Sequence, residues 1–93
     1  MQITTTGNME IATYPEKFSD DITIEISTDS EEHCIIVLSN QVGQILRMMG
    51  VNVIQGINKV HVDNVTKLEA GTYRISVKNP NSNILYSSIL TKF

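Results

Sequence analysis

An all-β fold, a seven-stranded antiparallel immunoglobulin-like β-sandwich, is what this 93-residue sequence predicts. Three observations carry the prediction. Apolar residues recur with period two in short runs. Clusters of Gly, Pro, Asn, Asp and Ser separate these runs at intervals of about 8 to 13 residues. No stretch of useful length shows the helical period. A small closed barrel is the alternative arrangement of the same strands.

Residues 1–8 are Thr-rich and end in Gly7-Asn8, so they read as a flexible start or linker, with one sandwich module over 9–93. Met9, Ile11 and Thr13 then alternate up to Tyr14-Pro15, where the proline marks an edge or a strand end. Ile22, Ile24 and Ile26 alternate with Thr23 and Glu25, the cleanest strand pattern in the chain. After the acidic turn Ser27 to Glu32, Cys34, Ile36 and Leu38 form the next inward set. Ile35 and Val37 take the other face, either as an exposed apolar patch for a partner or beneath a loop. Asn40 to Gly43 turns the chain into a short apolar strand, Ile45 to Met49, ended by Gly50. Gly56 opens a strand in which Val60 and Val62 share a face. Tyr73, Ile75 and Val77 line the next strand, the Lys78 to Asn83 segment turns, and the last strand runs from about Ile84 to Leu90. Thr91-Lys92-Phe93 is left as a tail.

Composition narrows the function classes. Apolar residues make up 41% of the chain, enough for one modest core and little room for an enclosed catalytic pocket. The formal charge is -3, and the basic residues Lys17, Arg47, Lys59, Lys67, Arg74, Lys78 and Lys92 are scattered. Nucleic-acid binding calls for a basic stripe, so no nucleic-acid partner is expected. One cysteine excludes an internal disulfide. No apolar run approaches a bilayer-spanning length, so no membrane insertion is expected, and Met1 to Gly7 lacks the basic and apolar regions of a signal peptide.

The chemistry-bearing residues are few. His33 beside Cys34 suggests a nucleophile and its base, but strand neighbours point to opposite faces and the pair diverges. Cys34 belongs with the apolar set; His61, between Val60 and Val62, faces outward. Two histidines and one cysteine on separate strands give no zinc-ligand spacing, and the acidic clusters Asp20-Asp21 and Asp29 to Glu32 lack the spaced oxygen ligands of a calcium loop. Asn64-Val65-Thr66 matches a glycosylation acceptor, meaningful only in a suitable secretory pathway. No catalytic constellation, cofactor site or metal site is expected, and the chain reads as a non-enzyme.

Three blocks carry a family resemblance. Tyr14-Pro15-Glu16-Lys17-Phe18, followed by the strand from Ile22, is similar to the Tyr-Pro-Asn-Pro-Phe stretch of the type IX secretion system C-terminal sorting domain. Asn40-Gln41-Val42-Gly43-Gln44 resembles that family's Asp-x-x-Gly-Arg turn. Leu68-Glu69-Ala70-Gly71-Thr72-Tyr73 resembles its Leu-Pro-Ala-Gly-x-Tyr strand entry. The blocks occur in the family's order across residues 9–93, with departures at Glu16, Lys17, Asn40, Gln44 and Glu69. The resemblance implies a module that addresses secreted cargo for export across the outer membrane. It implies a location outside the cell or on its surface, reached through the periplasm. The implied partners are the secretion apparatus, a surface peptidase and a cargo domain preceding the module in the same chain. By resemblance the sorting positions are Tyr14, Pro15, Phe18, Gly43, Leu68, Ala70, Gly71, Tyr73 and Lys92. An immunoglobulin-like interaction or adhesion module without the address function is the alternative.

Overall fold

The computed structural model describes residues 2–6 and 9–93 and is all-β, with two stacked sheets and no helix among those residues. The first sheet is ordered β1-β2-β4-β7 and the second β3-β9-β8-β5-β6. The strands are β1 (Gln2–Thr6), β2 (Met9–Tyr14), β3 (Lys17–Phe18), β4 (Ile22–Thr28) and β5 (Glu32–Asn40), then β6 (Ile45–Val53), β7 (Gly56–Val62), β8 (Gly71–Lys78) and β9 (Ile84–Lys92). All seven expected strands are present, and the described residues add two more, β1 and β3. Gln2–Thr6 pairs antiparallel with β2, from Gln2↔Thr13 to Thr6↔Met9, so this part of the expected linker is an edge strand. Gly7 and Asn8, read as the end of that linker, lie outside the described residues, as does Met1. The second addition, β3, runs parallel to β9, with Lys17 opposite Thr91 and Phe18 opposite Lys92. Every other pairing is antiparallel.

Alternation places the core. Ile22, Ile24, Ile26, Cys34, Ile36, Leu38, Val62, Tyr73, Ile75 and Val77 are buried between the sheets, as their period-two runs require. Val60 is half-buried, on β7 at the edge of its sheet, while Val62 on the same strand is fully covered. Phe18, Val53, Val65, Tyr86 and Leu90 complete the cluster. On the outer face of β5, Val37 is also buried, flanked from both adjacent strands by its register partners Met48 and Ser76. A polar contact joins the two layers: the hydroxyls of Thr13 on β2 and Tyr86 on β9 are 2.7 Å apart, both buried. That bond satisfies two groups whose burial would otherwise be costly.

Two hairpins of the second sheet share one turn design. In the first, the Asn40 side-chain carbonyl accepts the N–H groups of Val42 and Gln44 at 3.1 and 2.9 Å, and the Gly43 N–H reaches the Asn40 carbonyl at 3.0 Å. In the second, Asn79 does the same for Asn81 and Asn83 at 3.0 and 2.9 Å, with the Ser82 N–H on its carbonyl. The fourth residue must adopt positive φ: Gly43 at 87° and Ser82 at 67°. An asparagine followed three residues later by a residue tolerant of that region is what such a bulged hairpin requires.

Two strands run further than their apolar pattern. β6 continues through Gly50 to Val53, because Gly50 does not end the strand but makes room for a neighbour. A Cβ there would lie 3.2 Å from the His33 ring, which packs across the glycine while its Nδ1 sits 2.7 Å from the Asn52 carboxamide oxygen. β9 continues to Lys92, so the expected tail is sheet.

Replacing Ile24 or Ile75 by Ala empties a fully buried site and is expected to lower unfolding free energy by about 2–5 kcal/mol in urea titration. Ile57→Ala, at a side chain 67% exposed, should change it by less than about 0.5 kcal/mol. Burial, and then the charge of Glu32, raise the Cys34 thiol above its ordinary value of 9.0. The folded thiol therefore keeps its proton to higher pH than the unfolded one. That contribution is whole below the unfolded thiol's range and is lost as pH climbs through it toward the folded value. Between about pH 8 and pH 10 the urea midpoint should fall more steeply for the native chain than for Cys34→Ala.

Candidate functional site

The residues of the three motif blocks collect at one end of the sandwich. β2 leaves the first sheet at Tyr14, the chain crosses through Pro15 and Glu16, and β3 enters the second sheet beside β9. The Tyr14–Pro15 peptide is cis. The Thr91 N–H donates to the Glu16 carbonyl at 2.8 Å and the Phe93 N–H to the Phe18 carbonyl at 3.1 Å. Beyond β9, Gly71 of β8 faces Lys92 in register, and Asn40 at the end of β5 faces Tyr73. The turn at Asn40 to Gln44 thus stands next to the Leu68 to Tyr73 entry, with a shallow recess of about 210 Å³ between them.

Aromatic packing fixes this arrangement from below. Phe18 is buried and meets Tyr73 edge to face, with ring centroids 6.0 Å apart and planes at 65°. The Tyr73 hydroxyl donates to the Glu69 carbonyl at 2.6 Å, tying the strand to the loop that precedes it. Leu68 is half-buried against the core and its N–H bonds to the Val65 carbonyl, which anchors the loop's other end. Between these anchors Glu69 and Ala70 are exposed, and Gly71 adopts a φ of 152° with no atom near the position of a Cβ. The demand at Gly71 is on the backbone, since space is free there. Tyr14 is half-buried, and its hydroxyl donates to Glu25 at 3.2 Å.

The expected sorting positions fall into two groups. Phe18, Leu68, Gly71 and Tyr73 shape the end, and Gly43 shapes its turn; Ala70 and Pro15 are exposed on it. Lys92, expected in a free tail, lies in β9 and is largely buried, with its ammonium 3.4 Å from the Phe93 carbonyl. It continues the inward row Tyr86, Ser88 and Leu90 of β9, which is why its side chain does not hang free. The exposed apolar residues at this end, Val42 (86%) and Phe93 (69%), were not among the motif positions. Their signal in the sequence was an apolar residue in a polar turn and one beside a lysine, too little to single them out.

The remaining chemistry-bearing residues stay apart. Cys34 is in the core, and His33 lies on the opposite face against Gly50 and Asn52. His61 is exposed, with Nδ1 3.2 Å from both an Asp21 carboxylate oxygen and the Thr23 hydroxyl. Asn64 is exposed at a φ of 62°, its carbonyl accepting from Arg47, while Val65 beside it is buried. A larger open hollow of about 570 Å³ at the opposite end lies between Glu31–His33 and Asn52–Ile54. Among the described residues no group of three or more His, Cys, Asp or Glu is assembled to hold a metal ion.

No family model matches the chain, and no curated protein matches it. Among solved structures it is similar to part of a mutant β-glucosidase from Listeria innocua in complex with laminaribiose. That likeness has a TM-score of 0.55 at 13% identity, over 91% of this chain and 16% of that one. A GH3 β-glucosidase from Bifidobacterium adolescentis aligns at a TM-score of 0.49 and 14% identity, over 98% of this chain and 16% of that one. The chain therefore spans about a sixth of the length of these enzymes, and the first likeness shows the sandwich fold alone.

Gly71→Val is expected to lower the melting temperature by several degrees, since a β-branched residue is strained at that φ. Glu69→Val, at an exposed side chain whose contribution to Tyr73 is its backbone carbonyl, should leave it nearly unchanged. Equal melting temperatures would show that the loop relaxes around the substituted residue.

Proposed function

We propose that the chain is a non-catalytic sorting module of the type IX secretion kind, read at the end of the sandwich where its motif blocks meet. The observation that carries this reading is the convergence of Tyr14 to Phe18, Asn40 to Gly43 and Leu68 to Tyr73 around the last turn of β9. Segments far apart in sequence are held side by side there by backbone bonds and one aromatic pair, which makes a rigid, chemically mixed surface. Val42, Ala70 and Phe93 give it apolar contacts, and Glu69 and Gln41 give it polar ones. A receptor binding such a surface needs no chemistry from the module, only a constant shape that survives passage of varied cargo. The cognate partners on this reading are components of the secretion apparatus and a surface peptidase, acting on a chain that carries cargo ahead of the module.

A second reading, an interaction or adhesion module, is favoured by a separate observation. Ile54, Ile57 and Ile84 are 61%, 67% and 63% exposed and lie toward the opposite end. Apolar side chains so placed suit a partner that docks away from the motif end.

Residues 9–93 fused behind a signal-peptide-bearing reporter, in a host with the secretion system, should deliver the reporter outside the cell. Val42→Glu combined with Ala70→Glu should hold it in the periplasm with the fold intact by circular dichroism, since both side chains are exposed. Ile57→Glu at the other end should leave export unchanged. Retention of the folded, unsubstituted fusion in the periplasm would falsify the sorting reading. Loss of export from Ile57→Glu alone would move recognition to the second surface.

A further inference from the structure

Strand β6 is the outermost strand of the five-stranded sheet and bonds to β5 alone. Its nine residues include one charge, Arg47, and no proline; Arg47 and the bulge that leaves Leu46 unpaired both lie at the first end of the strand, so Met48 to Val53 carries neither charge nor bulge. Both ends of that edge are occupied from within the chain. Arg47 donates to the carbonyls of Leu46 and Asn64 at 2.9 and 3.1 Å. Beyond the other end, the Asn58 carboxamide accepts the Ile54 N–H at 3.0 Å and donates to its carbonyl at 2.8 Å. Between these caps, Met48 to Val53 presents an extended backbone that pairs with no other strand. Met49 and Val51, on its inner row, pack on the core yet stay half-buried.

We propose that this edge pairs with the same edge of a second copy, antiparallel about Gly50, so that two five-stranded sheets join into one. Opposed residues of an antiparallel pair must share a face, which limits the registers available. Centred on Gly50, each Met49 meets Val51 of the second copy, and the two half-buried apolar rows close over each other. Gly50 adds no bulk at the axis, and its own outer side is covered by the His33 ring. Arg47 meets Val53 of the second copy, and Val53 is the register partner of Glu32. Arg47 therefore lies two strands from Glu32 of the other copy, with Val53 between them and Glu31 adjacent, a span that its long side chain can bridge. A register centred on Arg47 would instead oppose two like charges. The apolar row is compatible with this alignment and the charges favour it, and that self-complementarity points to a copy of this chain rather than to an unrelated strand.

Sedimentation equilibrium of the full chain over a concentration series tests the pairing. A reversible monomer–dimer equilibrium is expected. Arg47→Glu and Glu32→Arg should each raise its dissociation constant by about two- to thirtyfold, the range for two exposed ion pairs across an axis. The double variant should recover most of that loss. Glu32 is exposed, so its variant is expected to fold, and circular dichroism verifies this for each protein. A chain that stays monomeric up to about 1 mM overturns the proposal, leaving the edge to a foreign strand or to none. A dimer indifferent to both charge reversals overturns it as well, because the copies then meet elsewhere.

Discussion

Two backbone hydrogen bonds, from Thr91 to Glu16 and from Phe93 to Phe18, hold the two sheets of this sandwich in one relation. They seat a two-residue strand parallel to β9 at the point where the chain has just left the first sheet. Burial of apolar surface draws Phe18 inward, and these bonds fix where its ring sits, against Tyr73. The Tyr73 hydroxyl bond to Glu69 depends on that ring position, and the loop from Leu68 to Gly71 depends on the hydroxyl. A short parallel pairing, weak by itself, therefore positions most of the end that carries the motif residues.

The other fixed point is the Thr13–Tyr86 bond, buried between β2 and β9. An apolar core is non-directional and tolerates sliding of one layer over another. A buried, directional hydroxyl pair does not, since sliding would leave both groups unsatisfied. Together with the β3–β9 pairing it ties β9 to both sheets, so the last strand is both a middle strand of its own sheet and the clamp on its neighbour.

What could be read from the sequence followed from periodicity. Ile22, Ile24 and Ile26, or Tyr73, Ile75 and Val77, announce strand and face at once, and the core they imply is the core found. Lys17–Phe18 could not be seen this way, because two residues have no period, and Gln2–Thr6 has a single apolar residue among four polar ones. Gly50 misled for a different reason: a glycine within a strand usually marks an end or a close approach, and only the His33 ring decides which. The motif residues of the candidate end were legible as segments. Their convergence was not, since it rests on the parallel pairing and on Lys92 being held in β9. Val42 and Phe93 are set by exposure alone, which a one-dimensional pattern does not carry.

The position of β9 between β3 and β8 also governs the order in which the molecule can be assembled. Every strand of the first sheet is drawn from residues up to Val62, so that layer can form while the rest of the chain is still being made. The second layer cannot close: Lys17 must wait for Thr91, about seventy residues later. Until then Phe18, Leu38 and Tyr73 share an open face with no lid. The second layer is thus complete only when β9 is in place, and the β3–β9 pairing is the contact of longest sequence separation in its sheet.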